Sequence, residues 1–92
     1  MTGQPSDPVA AWRHAAEGAA IPRSAREYLP ELLAELERAV AEGRPDRDEL
    51  AARWRAERGT DRRGRALRIL DRVGLLEQAL QAVQEARRGQ TR

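Results

Sequence analysis

Cysteine, lysine, asparagine and phenylalanine are all missing from this chain of 92 residues. Without cysteine there is no disulfide framework, no thiolate nucleophile and no Cys-based zinc site. The same absence fits a reducing compartment such as the cytoplasm. No apolar run approaches the ~20 residues that cross a bilayer, so no membrane partner is expected. The opening Met1-Thr2-Gly3-Gln4-Pro5-Ser6-Asp7-Pro8 lacks the basic start and apolar stretch of a secretory signal. Residues 1–7 and 89–92 are expected to be disordered tails around a single helical domain at 8–88.

Catalytic groups are scarce as well. His14 is the only histidine, and the two serines, Ser6 and Ser24, fall in the tail and at a helix start, so no nucleophile stands beside a base. Asp46, Asp48 and Glu49 bunch three acids. Consecutive helical positions do not converge on one point, and Asp46 with Glu49 reads instead as a helix cap. Gly59 and Gly64 flank Thr60-Asp61-Arg62-Arg63 without the strand that a phosphate loop requires. The expectation is a non-enzymatic protein with no metal, no cofactor and no evident small-molecule substrate, acting by binding.

What is present is leucine, alanine and arginine. Ten Leu, four Val, two Ile, two Trp and one Tyr supply the core, and all seventeen basic residues are arginine. Such usage is also what a GC-rich genome produces. The distribution carries more information than the count. Residues 1–52 have a net charge of −4, residues 53–72 a net of +5 and residues 73–92 a net of +1. The small total therefore hides a strongly polar molecule whose basic segment is the natural meeting point for an anionic partner.

The apolar spacing is helical throughout, with no sustained period-two alternation. Asp7-Pro8 starts a helix of roughly 8–17, with Val9, Ala10, Trp12, Ala15 and Ala16 on its covering face. Ser24 with Glu27 matches a capping box. Pro30 then requires either a new helix or a kink. Leu29, Leu32, Leu33, Leu36 and Val40 share one face of a helix stopped by Gly43. Asp46 with Glu49 starts a helix of about 47–58 with Leu50, Ala51 and Trp54 inward. Thr60 or Asp61 caps another from Arg62, with Ala66, Leu67, Leu70 and Val73 inward. Gly74 either ends that helix or lies within one rod reaching about residue 88. The fold class is all-α, a bundle of four to five helices.

Two features, the first running from Leu36 to Glu77, point to function. The first is a leucine-rich helix and tight turn, then Asp48-Glu49-Leu50-Ala51-Ala52-Arg53, a second turn at Gly59-Thr60-Asp61, and Arg65-Ala66-Leu67-Arg68-Ile69-Leu70-Asp71-Arg72-Val73-Gly74-Leu75-Leu76-Glu77. Over about 40 residues this resembles the helix-turn-helix core of bacterial winged-helix DNA-binding regulators. There an E-L-A helix precedes a recognition helix ending in R-x-L-x-x-L-x-x-x-G-L-[LV]-E. The resemblance implies a transcription regulator that contacts DNA through the helix at 62–72. Clamping of Leu50 and Ala51 on Leu67 and Leu70 would leave the outer face of that helix free for a major groove. The candidate contacts are Arg62, Arg63, Arg65, Arg68 and Arg72, with Arg55 and Arg58 reaching the flanking backbone. This chain departs from the family in two ways. Its inter-helix turn is about two residues longer, and residues 78–86 read as helix where the family has a β-hairpin wing. A wingless variant with a dimerising C-terminal helix would reconcile both.

The second feature is a heptad-like seam of Ile69, Val73, Leu76, Leu80 and Val83. It either closes the chain's own bundle or pairs with a partner helix, including one from a second copy. In the latter case the protein is a protein–protein interaction module with no nucleic-acid role. A backbone break at Gly74 favours the first feature; one unbroken helix favours the second.

Overall fold

The computed structural model describes residues 7–90. Helix α1 spans Pro8–Glu17, and α2 is a single turn at Arg23–Arg26. Then follow α3 at Leu29–Glu42, α4 at Arg47–Glu57, α5 at Arg62–Arg72 and α6 at Leu75–Gln90. Among the described residues there is no strand, so the chain is an all-α bundle. Where the resemblance would place a wing, α6 runs unbroken, and it continues two residues past the expected end at 88. Of the expected N-terminal tail only Asp7 is described, and it caps α1. Residues 1–6 and 91–92 lie outside the described part.

Three aspartates set the helix starts. Asp7 Oδ1 accepts hydrogen bonds from the Val9 and Ala10 amides at 3.1 and 3.2 Å. Asp46 accepts from the Glu49 amide at 2.8 Å, and the Glu49 carboxylate accepts from the Asp46 amide at 3.1 Å, which completes a capping box. Asp61 accepts from the Gly64 amide at 2.8 Å. The box expected at Ser24 does not form. The turn starts two residues earlier, with Pro22 extended as its N-cap and the Ala25 and Arg26 amides both closing on the Pro22 carbonyl. Ser24 is therefore inside the turn, where its hydroxyl has no cap to make. Pro30 sits in the first turn of α3, where the missing amide costs nothing.

Helix α6 is the centre of the bundle, packing against α1, α3, α4 and α5. Its wide buried face holds Leu75, Leu76, Ala79, Leu80, Ala82 and Val83. The Trp12 indole of α1 donates to the Leu75 carbonyl at 2.8 Å, tying the first helix to the start of the last. At Arg26 the guanidinium holds the carbonyls of Glu17 and Ala19 at 2.9 and 3.0 Å, closing the connection from α1 to α2.

The backbone breaks at Gly74. Its φ of +85° lies in the left-handed region, and the Gln78 amide returns to the Gly74 carbonyl to begin α6. An L-residue there meets backbone–side-chain crowding of about 1–2 kcal/mol. Gly74→Ala should accordingly lower the unfolding free energy by about that amount in urea denaturation. A variant at least as stable as the parent would show that the break is not imposed at this position.

The break decides the fate of the expected seam. Leu76, Leu80 and Val83 are buried inside the monomer, Ile69 is half-buried on α5, and Val73, at the C-cap of α5, is 47% exposed. The five residues thus fall on two helices and the break between them, and do not form one surface stripe. Val73, expected inward, is the exposed large apolar side chain among the described residues, because the helix ends one residue before it.

Candidate nucleic-acid interface

Helices α4 and α5 are joined by a four-residue turn, 58–61, folded closely over the first turn of α5. Gly64 is buried there, and a Cβ on it would sit 2.3 Å from the Gly59 amide nitrogen. Only glycine permits that approach. Leu50 and Trp54 of α4 and Ala66, Leu67 and Leu70 of α5 are buried at 2% exposure or less, with Ala51 half-buried beside them. The inward face of α5 is thereby fixed, and the opposite face is left to solvent.

The seven arginines of the candidate interface separate into distinct settings. Arg65, Arg68 and Arg72 are exposed and follow one another at i, i+3 and i+7, which places them on a single face of α5. Arg62 is exposed at the first position of the same helix. None of the four has an ion-pair partner among the described residues; Arg65 donates its Nε to the Thr60 carbonyl at 2.8 Å, which steadies the guanidinium without neutralising it. Arg55 is exposed on α4 and lines a shallow cleft with Arg58 and Asp71. Arg58, in the turn, is ion-paired with Asp71 of α5.

Arg63 points the other way. Its guanidinium reaches Glu57 of α4 at 2.8 Å, Glu35 of α3 at 2.9 Å, and Glu31 of α3. Glu35 also accepts from the Trp54 indole at 2.8 Å. Burial alone would lower the Arg63 pKa, but hydrogen bonds and charge from Glu57 and Glu35 outweigh it and raise the pKa above the ordinary arginine value. Three helices meet at this one cation, whose side chain is 22% exposed. Its donors are taken up by carboxylates, so Arg63 anchors α5 and is not available to a phosphate. A second tether joins α4 to α6: Arg47 donates to Glu77 at 2.7 Å, and that hydrogen bond raises the Arg47 pKa.

Removing Arg63 leaves three carboxylates facing one another without their counterion. Arg63→Ala should destabilise the fold by about 2 kcal/mol, below the range for a fully buried pair because the cluster is partly solvated. Chemical denaturation measures it. A change under ~0.5 kcal/mol, the ordinary scale for a surface ion pair, would remove Arg63 from the anchoring role.

Among the described residues no three His, Cys, Asp or Glu side chains are grouped to hold a metal ion. No described helix is long and apolar enough to cross a membrane. No family model, curated protein or solved structure matches the chain.

Proposed function

We propose that this chain is a DNA-binding protein of the transcription-regulator type, a wingless helix-turn-helix in which α4 and the 58–61 turn present α5 to the major groove of a duplex. The observation that carries the reading is the unpaired row Arg65, Arg68 and Arg72 on the solvent face of a helix whose opposite face is fixed by core and by Arg63. Eleven residues make a rod of about 16 Å, long enough to lie in a groove ~12 Å wide. The three guanidiniums are spread over roughly 10 Å of that rod, a span that covers several successive phosphates or base edges. Arg62 extends the row at the N-terminal end, and Arg55 stands at its α4 flank. Arginine suits both jobs, since its planar fork donates in pairs to phosphate oxygens and to guanine O6 and N7. The break at Gly74 supports the same reading, because it confines the basic face to one short helix. The resemblance to bacterial regulators is what supports a bacterial, cytoplasmic setting for this function. The function does not need the 69–83 seam, whose α6 members are used by the core.

With Arg62, Arg65, Arg68 and Arg72 as phosphate contacts, log K against log salt should fall with a slope of about −3.6. Raising salt fourfold, from about 50 to 200 mM, should weaken binding roughly 150-fold. Fluorescence anisotropy with a labelled duplex measures both. Absence of binding at micromolar protein in the lower salt would overturn the proposal.

A further inference from the structure

Helix α2 packs against α5, and a cleft of about 340 Å³ opens between them. Three guanidiniums line it, Arg23 from α2 with Arg62 and Arg65 from α5, against one carboxylate, Glu27. Among the described residues neither the Arg23 nor the Arg62 guanidinium makes an ion pair or hydrogen bond. Arg65, held by its Nε on the Thr60 carbonyl, keeps both terminal amino groups free. The walls are of a different character. Tyr28 and Ile69, both half-buried, supply a flat ring and an apolar surface, and Ser24 and Glu27 offer hydrogen-bond acceptors at the side.

We infer that this cleft binds a small organic phosphate with a planar, apolar body, the chemistry of an aromatic monophosphate. The excess positive charge has no counter-charge within the fold, and guanidinium forks match phosphate oxygens in pairs. The apolar wall gives a reason for the ligand to be more than a bare anion, since burying its body contributes in proportion to the apolar area removed from water. Glu27 and Ser24 would receive a hydroxyl or amino donor on that body. Arg62 and Arg65 belong to the DNA-facing surface as well, so an occupied cleft competes with DNA. That last consequence rests on the proposed DNA contact; ligand binding itself does not.

The test is a titration of the ¹⁵N-labelled full-length protein with phenyl phosphate in low salt without DNA, followed by amide chemical shifts, beside a matching titration with inorganic phosphate. Saturable shifts centred on Ser24, Tyr28 and Ile69 are expected. Phenyl phosphate should bind about tenfold more tightly than inorganic phosphate, the factor that ~1.4 kcal/mol of ring burial provides. Arg23→Ala and Arg62→Ala should each weaken it about tenfold, and Arg38→Ala on α3 should leave it unchanged. Shifts that do not saturate by roughly 10 mM, equal affinity for the two phosphates, or equal loss in Arg38→Ala would overturn the assignment. Arg23→Ala should bind duplex DNA within about twofold of the parent, because Arg23 is outside the α5 row. Loss of the ligand with DNA binding intact separates this site from the α5 contact.

Discussion

Trp54→Ala should lower the unfolding free energy by about 3–5 kcal/mol, the range for deleting a large aromatic side chain from a packed core. A domain of this kind has only about 5–15 kcal/mol in total, so the variant stands near the edge of folding. The expectation follows from burial first: Trp54 is 1% exposed and is the largest of the fully buried side chains. Its indole N–H adds a second contribution, because it donates to the same Glu35 carboxylate that receives Arg63. Truncation therefore opens a cavity and releases one partner of the cluster that anchors α5. Trp54→Phe separates the two effects. It keeps most of the volume and loses the hydrogen bond, so it should cost about 1–2 kcal/mol. Urea unfolding followed by helical circular dichroism measures both variants. A cost below about 1.5 kcal/mol for the alanine variant would mean that α4 is not held on α3 and α5 by this side chain.

Much of this architecture could be read from the chain before any coordinates. The helix starts at Asp7 and Asp46 are legible because an N-cap carboxylate satisfies amides that nothing else reaches, and the start of α5 is legible to within the pair Thr60 and Asp61, of which Asp61 makes the cap. Ser24 with Glu27 has the same local pattern and makes no cap. There the neighbouring Pro22 provides the closing carbonyl, and the segment is a single turn held by packing on α5. Gly74 illustrates a different limit. A glycine inside a helix costs only about 1 kcal/mol relative to alanine, so apolar spacing leaves both readings open, and the choice is made by Trp12 and the rest of the bundle gathering around the start of α6.

The candidate site was legible only in part. A run of eight arginines in twenty residues locates the basic segment, and helical spacing alone aligns Arg65, Arg68 and Arg72. It does not tell which guanidiniums are already engaged. Arg63 looks equivalent to Arg62 in the sequence, yet its partners Glu31 and Glu35 lie 32 and 28 residues upstream and reach it only through packing of α3 on the rest of the fold. Arg23 gives no signal in the sequence for the converse reason. It lies in the acidic half of the chain, and only the docking of α2 on α5 brings it beside Arg62 and Arg65. The one usable signal for the close turn was the pair Gly59 and Gly64, whose backbones touch in the structure.

The largest effect on function is expected from taking away the exposed row. Arg65→Ala, Arg68→Ala and Arg72→Ala together remove three of the proposed phosphate contacts from a surface that makes no core contribution, so the helix should survive and the proposed affinity for DNA should not. Each lost contact removes ~0.9 from the salt exponent, which at about 0.1 M salt amounts to roughly 500-fold for the three. Arg38→Ala with Arg44→Ala takes two positive charges from exposed positions elsewhere and serves as the control. Anisotropy titration of one labelled duplex against the three proteins, repeated across a salt series, is the direct measurement. The triple variant should be weakened roughly 500-fold with its salt slope flattened from about −3.6 to about −0.9, and the control should stay within about threefold of the parent. A folded triple variant that binds like the parent, or a control that loses as much, would contradict the proposed DNA contact.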